Sequence, residues 1–276
     1  MTAYCVSLGL PRAMIWFVAG LLRDRHREVG TRKGTRVLSC FRQAVFILAW
    51  LRDGGDIERL GAGFGMSRAT AYRRHREALD VIAAKAPTLT EVLAQAVHDR
   101  LPYLILDGTL VPIDRIAETK TSVKGKEVDA WYSGKSREFC GNIQALAYPD
   151  GVPAWVSDVH PGSEHDLSVA RTEVLQIAYP YLGDLVLLAD GGYVGAPHDV
   201  KTPVPRPPQG EPELSEDIRT YNKILRGLRA QGERAFALLF GEWKALRHVT
   251  MSPRRIGDLV RAALVLTQFE HKIVWR

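Results

Sequence analysis

Two apolar runs that end in aspartate, Tyr103-Leu104-Ile105-Leu106-Asp107 and Leu185-Val186-Leu187-Leu188-Ala189-Asp190, constrain this chain most. Short apolar runs bounded by glycine read as buried strands. A carboxylate at the end of such a strand is costly to ionise unless a cation or hydrogen-bond donors await it. Each aspartate has a plain alternative, because Asp107-Gly108 and Asp190-Gly191-Gly192 can simply open turns. A third acid, Glu233, lies in an arginine-rich helical segment, where a surface position is ordinary for glutamate. Brought together, the three would make a hard, oxygen-only site for divalent metal.

The pattern around these runs predicts a mixed α/β sheet covered by helices. Tyr103 to Ile113 reads as a long strand interrupted at Asp107-Gly108. Asn142–Tyr148 and Val152–Val159 flank Pro149-Asp150-Gly151 and form a hairpin. A helix follows from Glu164 or His165, then the strand Leu185–Ala189, then helices from about Ser215 to His248 and Ser252 to Lys272. At 100° per residue, Arg226, Phe236, Ala237, Phe240 and Lys244 lie near the direction of Glu233, whereas Glu242 lies opposite. Glu233 is therefore expected on a packing face, with Arg226, Arg229 and Lys244 beside it to hold a phosphodiester. Between Pro197 and Ser215, Pro203, Pro205, Pro207, Pro208 and Pro212 exclude regular structure, and the loop they form is expected as a flap over the acids.

The front of the chain differs in charge. Residues 1 to 86 hold 15 Lys and Arg against 7 Asp and Glu, a net of +8, whereas the whole chain carries +6. A polyanionic partner suits that segment. Phe41 to Leu51 has helical apolar spacing, and a helix from about Asp56 to Ala62, a glycine turn over Gly63–Met66 and a helix capped by Ser67 make a helix-turn-helix at about 56–83. On the second helix Arg68, Tyr72, Arg73 and Arg76 share a face suited to a DNA groove, while Ala71, His75, Ala78 and Leu79 point elsewhere. A helical hairpin with a solvated arginine face is the bland alternative. Pro87-Thr88 opens another helix with a threonine cap. The chain thus divides into an all-α domain, 1–95, and a second domain, 96–276, carrying the Pro-rich loop at 197–215. Cys5, Cys40 and Cys140 are too dispersed for a disulfide framework or zinc module, which fits a reducing cytoplasm. The apolar stretch Ala13–Leu22 is too short to span a bilayer and reads as a buried helix.

Five short blocks then fall in a recognisable order. Asp107-Gly108-Thr109, Tyr132-Ser133-Gly134-Lys135, Pro161-Gly162-Ser163-Glu164-His165-Asp166, Ala189-Asp190-Gly191-Gly192-Tyr193 and Arg229-Ala230-Gln231-Gly232-Glu233-Arg234-Ala235-Phe236 resemble those of bacterial insertion-sequence transposases of the DDE superfamily, in the branch related to Harbinger-type nucleases. The resemblance implies an RNase H-like catalytic domain in which Asp107, Asp190 and Glu233 bind two Mg2+ ions, with Mn2+ able to substitute. It also implies double-stranded DNA as partner, both terminal inverted repeats and target, a homodimer joining two ends, and a place at the bacterial nucleoid. Ser163-x-x-Asp166 has capping-box spacing, so Asp166 either caps a helix or serves the metals together with His165. Lys135 and Arg137 either contact phosphate or form a solvated loop, and Tyr193 either stacks on a base or packs under the site. Two other classes stand beside the transposase: a DNA-binding derivative without catalysis, and a regulator whose rear domain senses a ligand.

Overall fold

The computed structural model describes residues 9–32, 34–121, 125–197, 199–209 and 212–272. Cys5 lies outside them, as do residues 198, 210 and 211 of the Pro-rich stretch. Two compact units emerge. One holds the chain up to Ala86 together with Phe240–His248 and the stretch from Asp258 onward; the other holds Pro87–Leu239 and Val249–Gly257.

The first unit is helical: α1 (Arg12–Glu28), α2 (Cys40–Asp53), α3 (Ile57–Gly63) and α4 (Arg68–Ala83). Helix α1 extends beyond the apolar stretch and is amphipathic rather than buried all round, with Met14, Val18, Ala19 and Leu22 inside and Trp16 48% exposed. Asp56 caps α3 by accepting from the Arg59 N–H at 2.6 Å. Gly65, at φ 75°, reverses the chain into Met66, which plugs a cluster with Leu38, Phe46 and Ala71. A Cβ on Gly61 would stand 2.4 Å from that of Ala71, so only glycine lets α3 lie this close to α4. Ser67 occupies the N-cap position of α4, but its hydroxyl turns to Thr70 instead of capping the backbone. Trp243 belongs to this unit: its buried indole N–H donates to Thr267 Oγ1 at 2.9 Å. Arg52 also pairs here with Glu242, which is therefore not the purely solvent-facing acid expected from its helical angle.

In the second unit α5 (Leu89–His98) opens with a complete capping box between Thr88 and Glu91. The strands are β1 (Leu104–Pro112), β2 (Thr119–Thr121), β3 (Glu127–Asp129), β4 (Tyr132–Ser133), β5 (Glu138–Ala147), β6 (Pro153–Val156) and β7 (His160–Pro161), then, beyond α6 (Asp166–Ala170) and the short turn α7 (Gln176–Ala178), β8 (Leu187–Leu188) and β9 (Val200–Lys201). The long helix α8 (Glu216–Glu242) follows and lies in this unit up to Leu239, whereas the last helix, α9 (Ile256–Glu270), belongs from Asp258 onward to the first unit. The main sheet is ordered β4-β5-β1-β8-β9, with β6 and β7 also on β5. β5 is antiparallel to β1, whereas β8 is parallel to β1 and β9 to β8, so the sheet is mixed, as an RNase H-like fold requires. The β5–β6 hairpin turns at Gly151, at φ 82°.

Three expectations are corrected. Strand β1 is not interrupted at Asp107-Gly108, because its pairing to β5 runs unbroken from Ile105–Ala147 to Pro112–Cys140. The Pro-rich stretch is not wholly irregular: Val200 and Lys201 precede its proline cluster and pair with β8. Helix α8 ends at Glu242 and not at His248, because Trp243 leaves helical backbone (φ −109°, ψ 84°) as its indole turns to Thr267. Among the described residues no helix is long and apolar enough to cross a membrane.

Candidate active site

Parallel pairing aligns the two aspartates. β1 and β8 pair Leu104 with Leu187 and Ile105 with Leu188. Two residues further along each chain stand Asp107 and Asp190, so strand register brings both carboxylates to one level of the sheet. Asp107 Oδ1 accepts from the Gly108 N–H at 3.0 Å, and Asp190 Oδ1 from the Gly192 N–H at 2.8 Å. Asp190 thus does make the glycine turn foreseen for it.

Alternation along β1 sends Ile105 and Asp107 to the face under α8 and Gly108 to the other. Gly232, 100° before Glu233 on the helix, is the contact point: a Cβ there would lie 2.9 Å from Ile105 Cγ2 and 3.9 Å from Asp107 Oδ2. The buried stripe of α8 is accordingly Leu225, Gly232, Ala235 and Leu239. This corrects the expected packing face, since Glu233 and Ala237 are exposed. Arg229, one turn before Gly232, reaches toward Asp107, with Nη2 3.9 Å from Oδ1. Among the described residues its buried Nε has no hydrogen-bond partner. Lys244 lies beyond the end of α8 and in the other compact unit, so it does not continue the Arg226–Arg229 face. Because glycine normally weakens a helix by about 1 kcal/mol, Gly232→Ala would stabilise if propensity ruled. Contact with Ile105 predicts the reverse, a loss of roughly 1–3 kcal/mol, measurable as a lower urea midpoint.

Asp166 does not take part in a capping box. Ser163 donates its hydroxyl to the Ala130 carbonyl at 2.5 Å, and His165, exposed, occupies the N-cap position of α6 without a side-chain cap. Asp166 instead joins a buried polar chain: Tyr193 Oη donates to Gln144 Oε1 (2.5 Å), Gln144 Nε2 to Asn142 Oδ1 (2.9 Å), and Asn142 Nδ2 to Asp166 Oδ1 (2.8 Å). Gly108 makes room for it, since a Cβ there would stand 2.7 Å from Asp166 Oδ1 and 2.9 Å from Gln144 Nε2. Asp166 Oδ2 also lies 3.6 Å from where a Gly192 Cβ would be, beside the Asp190 turn. Tyr193 therefore packs under the site, fully buried.

The electrostatics are those of clustered carboxylates with Arg229 beside Asp107. Burial pushes the Asp107 carboxyl up to about 6, opposed by Arg229 and the Gly108 N–H and reinforced by Asp190 and Asp166. Burial, with the same three aspartates, holds the Tyr193 phenol well above its usual range, so it stays a donor to Gln144. Among the described residues no group of three or more His, Cys, Asp or Glu stands at ligating geometry. The donor chemistry nonetheless suits a hard divalent cation, because Asp107 and Asp190 offer only oxygen and burial, which Arg229 only partly offsets, holds Asp107 above its ordinary range.

A family model described as DDE superfamily endonuclease matches residues 106–268, more than half of the chain, from the start of the Asp107 block past Glu233. This chain belongs to the DDE superfamily endonucleases. No curated protein and no solved structure matches it. A nuclease of this family acts on DNA, and DDE endonucleases generally use divalent metals, in keeping with the oxygen-only donors around Asp107.

Elsewhere on the endonuclease, Arg68, Tyr72, Arg73 and Arg76 are exposed on α4, opposite the buried Ala71, His75, Ala78 and Leu79. Lys135 and Arg137 are exposed in the turn between β4 and β5, where Arg137 takes φ 61°, and Arg226 is exposed on α8. The sequence reading missed Asn142 and Gln144. Their signal was present: two amides spaced by two on a strand otherwise apolar must face one buried side together, and buried amides need partners.

Proposed function

We propose that this endonuclease is the transposase of a bacterial insertion sequence in the Harbinger-related branch, binding the element's terminal inverted repeats and cutting and joining DNA strands. The observation that carries the reading is the alignment of Asp107 and Asp190 across β1 and β8 beneath an arginine-bearing helix. Asp107 and Asp190 would hold the metal, with Glu233 supplied by the α8 residue after Gly232. Bound Mg2+, or Mn2+ in its place, would activate the attacking water or 3′-hydroxyl and stabilise the leaving 3′-oxygen. The protein's own residues set the stage for that chemistry. Arg229 brings positive charge to within 3.9 Å of Asp107, where a phosphodiester would need it. The chain from Tyr193 to Asp166 holds the neighbouring carboxylate in place, and Asp166 with His165 serves as accessory to the metals.

α3 and α4 are the DNA-reading helix-turn-helix in this account, with Arg68, Tyr72, Arg73 and Arg76 toward the groove. Lys135, Arg137, Arg226 and Lys244 would contact phosphate, and a homodimer would hold two ends. Arg73→Ala with Arg76→Ala is expected to weaken binding to inverted-repeat duplex about tenfold or more and to flatten its salt slope by roughly 1.8, from about 0.9 per phosphate contact. Fluorescence anisotropy across a salt series measures both. The function itself is tested by incubating the protein, magnesium, an end-bearing oligonucleotide and a target plasmid. Joined product from the oligonucleotide's 3′ end is expected; nicking indifferent to the end sequence, without joining, would refute the transposase reading.

A further inference from the structure

The second unit holds a cavity of about 840 Å3 between the Pro-rich stretch and the first half of α8. One wall is cationic: Arg219, Lys223, Arg226 and Arg229 recur at steps of four, three and three along α8, and Arg206 faces them from the loop. The opposite wall is apolar, built from Pro203, Val204, Pro207, Pro208 and Leu214. Among the described residues the only carboxylate lining it is Glu213. The loop is fastened in place, because Asn222 accepts from the Val204 N–H at 2.9 Å and donates to the Val204 carbonyl at 3.0 Å, while Tyr221 donates to the Thr202 carbonyl. The cavity ends at Arg229, the residue whose guanidinium stands beside Asp107.

A row of cations facing a wall of apolar rings and methyls suits a polymer with charge on one side and flat apolar groups on the other. Single-stranded DNA is such a polymer. A sphere of this volume is about 12 Å across, too small to enclose a duplex, which presents a major groove about 12 Å wide and a minor groove about 6 Å wide side by side. We infer that this cavity binds a single-stranded stretch of DNA flanking the cleaved bond, its phosphates on the α8 row and its bases against the prolines. The inference rests on the nuclease reading for its biological sense but not for its binding chemistry.

The test uses the full chain and a short fluorescein-labelled oligothymidylate. Arg206→Ala with Lys223→Ala, both exposed positions, should lower affinity for the oligonucleotide about tenfold or more and flatten the salt slope by roughly 1.4, from about 0.7 per contact on single strands. Duplex affinity should change by less than about twofold, since α4 reads duplex in this account. Arg206→Lys with Lys223→Arg, which keeps both charges, should bind as wild type. Unchanged single-strand affinity in the alanine pair, an equal loss on duplex, or an equal loss in the charge-keeping pair would overturn the inference. Plasmid nicking by the wild-type protein is read in parallel. Nicking with no single-strand effect sinks this site alone, whereas a single-strand effect without nicking sinks the transposase reading and leaves the site standing.

Discussion

Replacing Asp107 or Asp190 by asparagine is expected to lower magnesium-dependent nicking of supercoiled plasmid by at least about 10³-fold while duplex binding stays within about twofold of wild type. Both substitutions keep shape and the capacity to accept from Gly108 or Gly192. What they remove is negative charge at the place where the proposed divalent ion would be held, and such ions supply several kcal/mol of transition-state stabilisation. Asp166→Asn should behave differently. Its Oδ1 accepts from Asn142 and lies against Gly108, so it orients the site, and a decrease of about 10–100-fold is expected. Equal collapse in all three variants would move Asp166 into the ligand set, and equal activity would remove the aspartates from catalysis.

Asp107→Asn should also make the protein more stable above pH 6. In the folded chain this carboxyl is pushed up to about 6 from an ordinary 3.8. Below pH 4 it is protonated in both states and contributes nothing to the pH dependence. Between 4 and 6 the unfolded chain releases the proton while the fold keeps it, so stability falls as pH rises, and the loss is complete above 6. The interval corresponds to about 3 kcal/mol at most. Asparagine cannot ionise and escapes this penalty, so the variant's melting temperature at pH 8 should exceed wild type by roughly 4–8 °C for a gain of about 2 kcal/mol, with no difference at pH 3.5. Thermal melts at both pH values measure it. Excess magnesium should narrow the gap at pH 8, because a cation beside Asp107 favours its charged form. A variant less stable than wild type at pH 8 would mean that Arg229 and the Gly108 N–H outweigh burial.

The endonuclease was readable in sequence wherever a local pattern fixes a local structure. The β5–β6 hairpin followed from apolar runs around Asp150-Gly151, and the exposed and buried faces of α4 followed from helical spacing. What failed depended on partners far along the chain. Glu233 was assigned to a packing face from the apolar residues near it on the helix, yet the approach of α8 to β1 is set by Gly232, where the missing side chain admits Ile105. The end of α8 is decided by Trp243 and a threonine 24 positions away. The capping-box spacing of Ser163 and Asp166 was overridden because Ser163 found the Ala130 carbonyl and Asp166 found Asn142. The β2–β3 ribbon has only three residues in each strand and none of them buried, too short and too exposed to leave a signal to read.

The account turns on whether Asp107 and Asp190 hold a divalent ion. Titration of Mn2+ into the DNA-free protein at pH 7.5, followed calorimetrically, should give saturable binding in wild type that is lost in Asp107→Asn and in Asp190→Asn. Undiminished binding in both variants would contradict it.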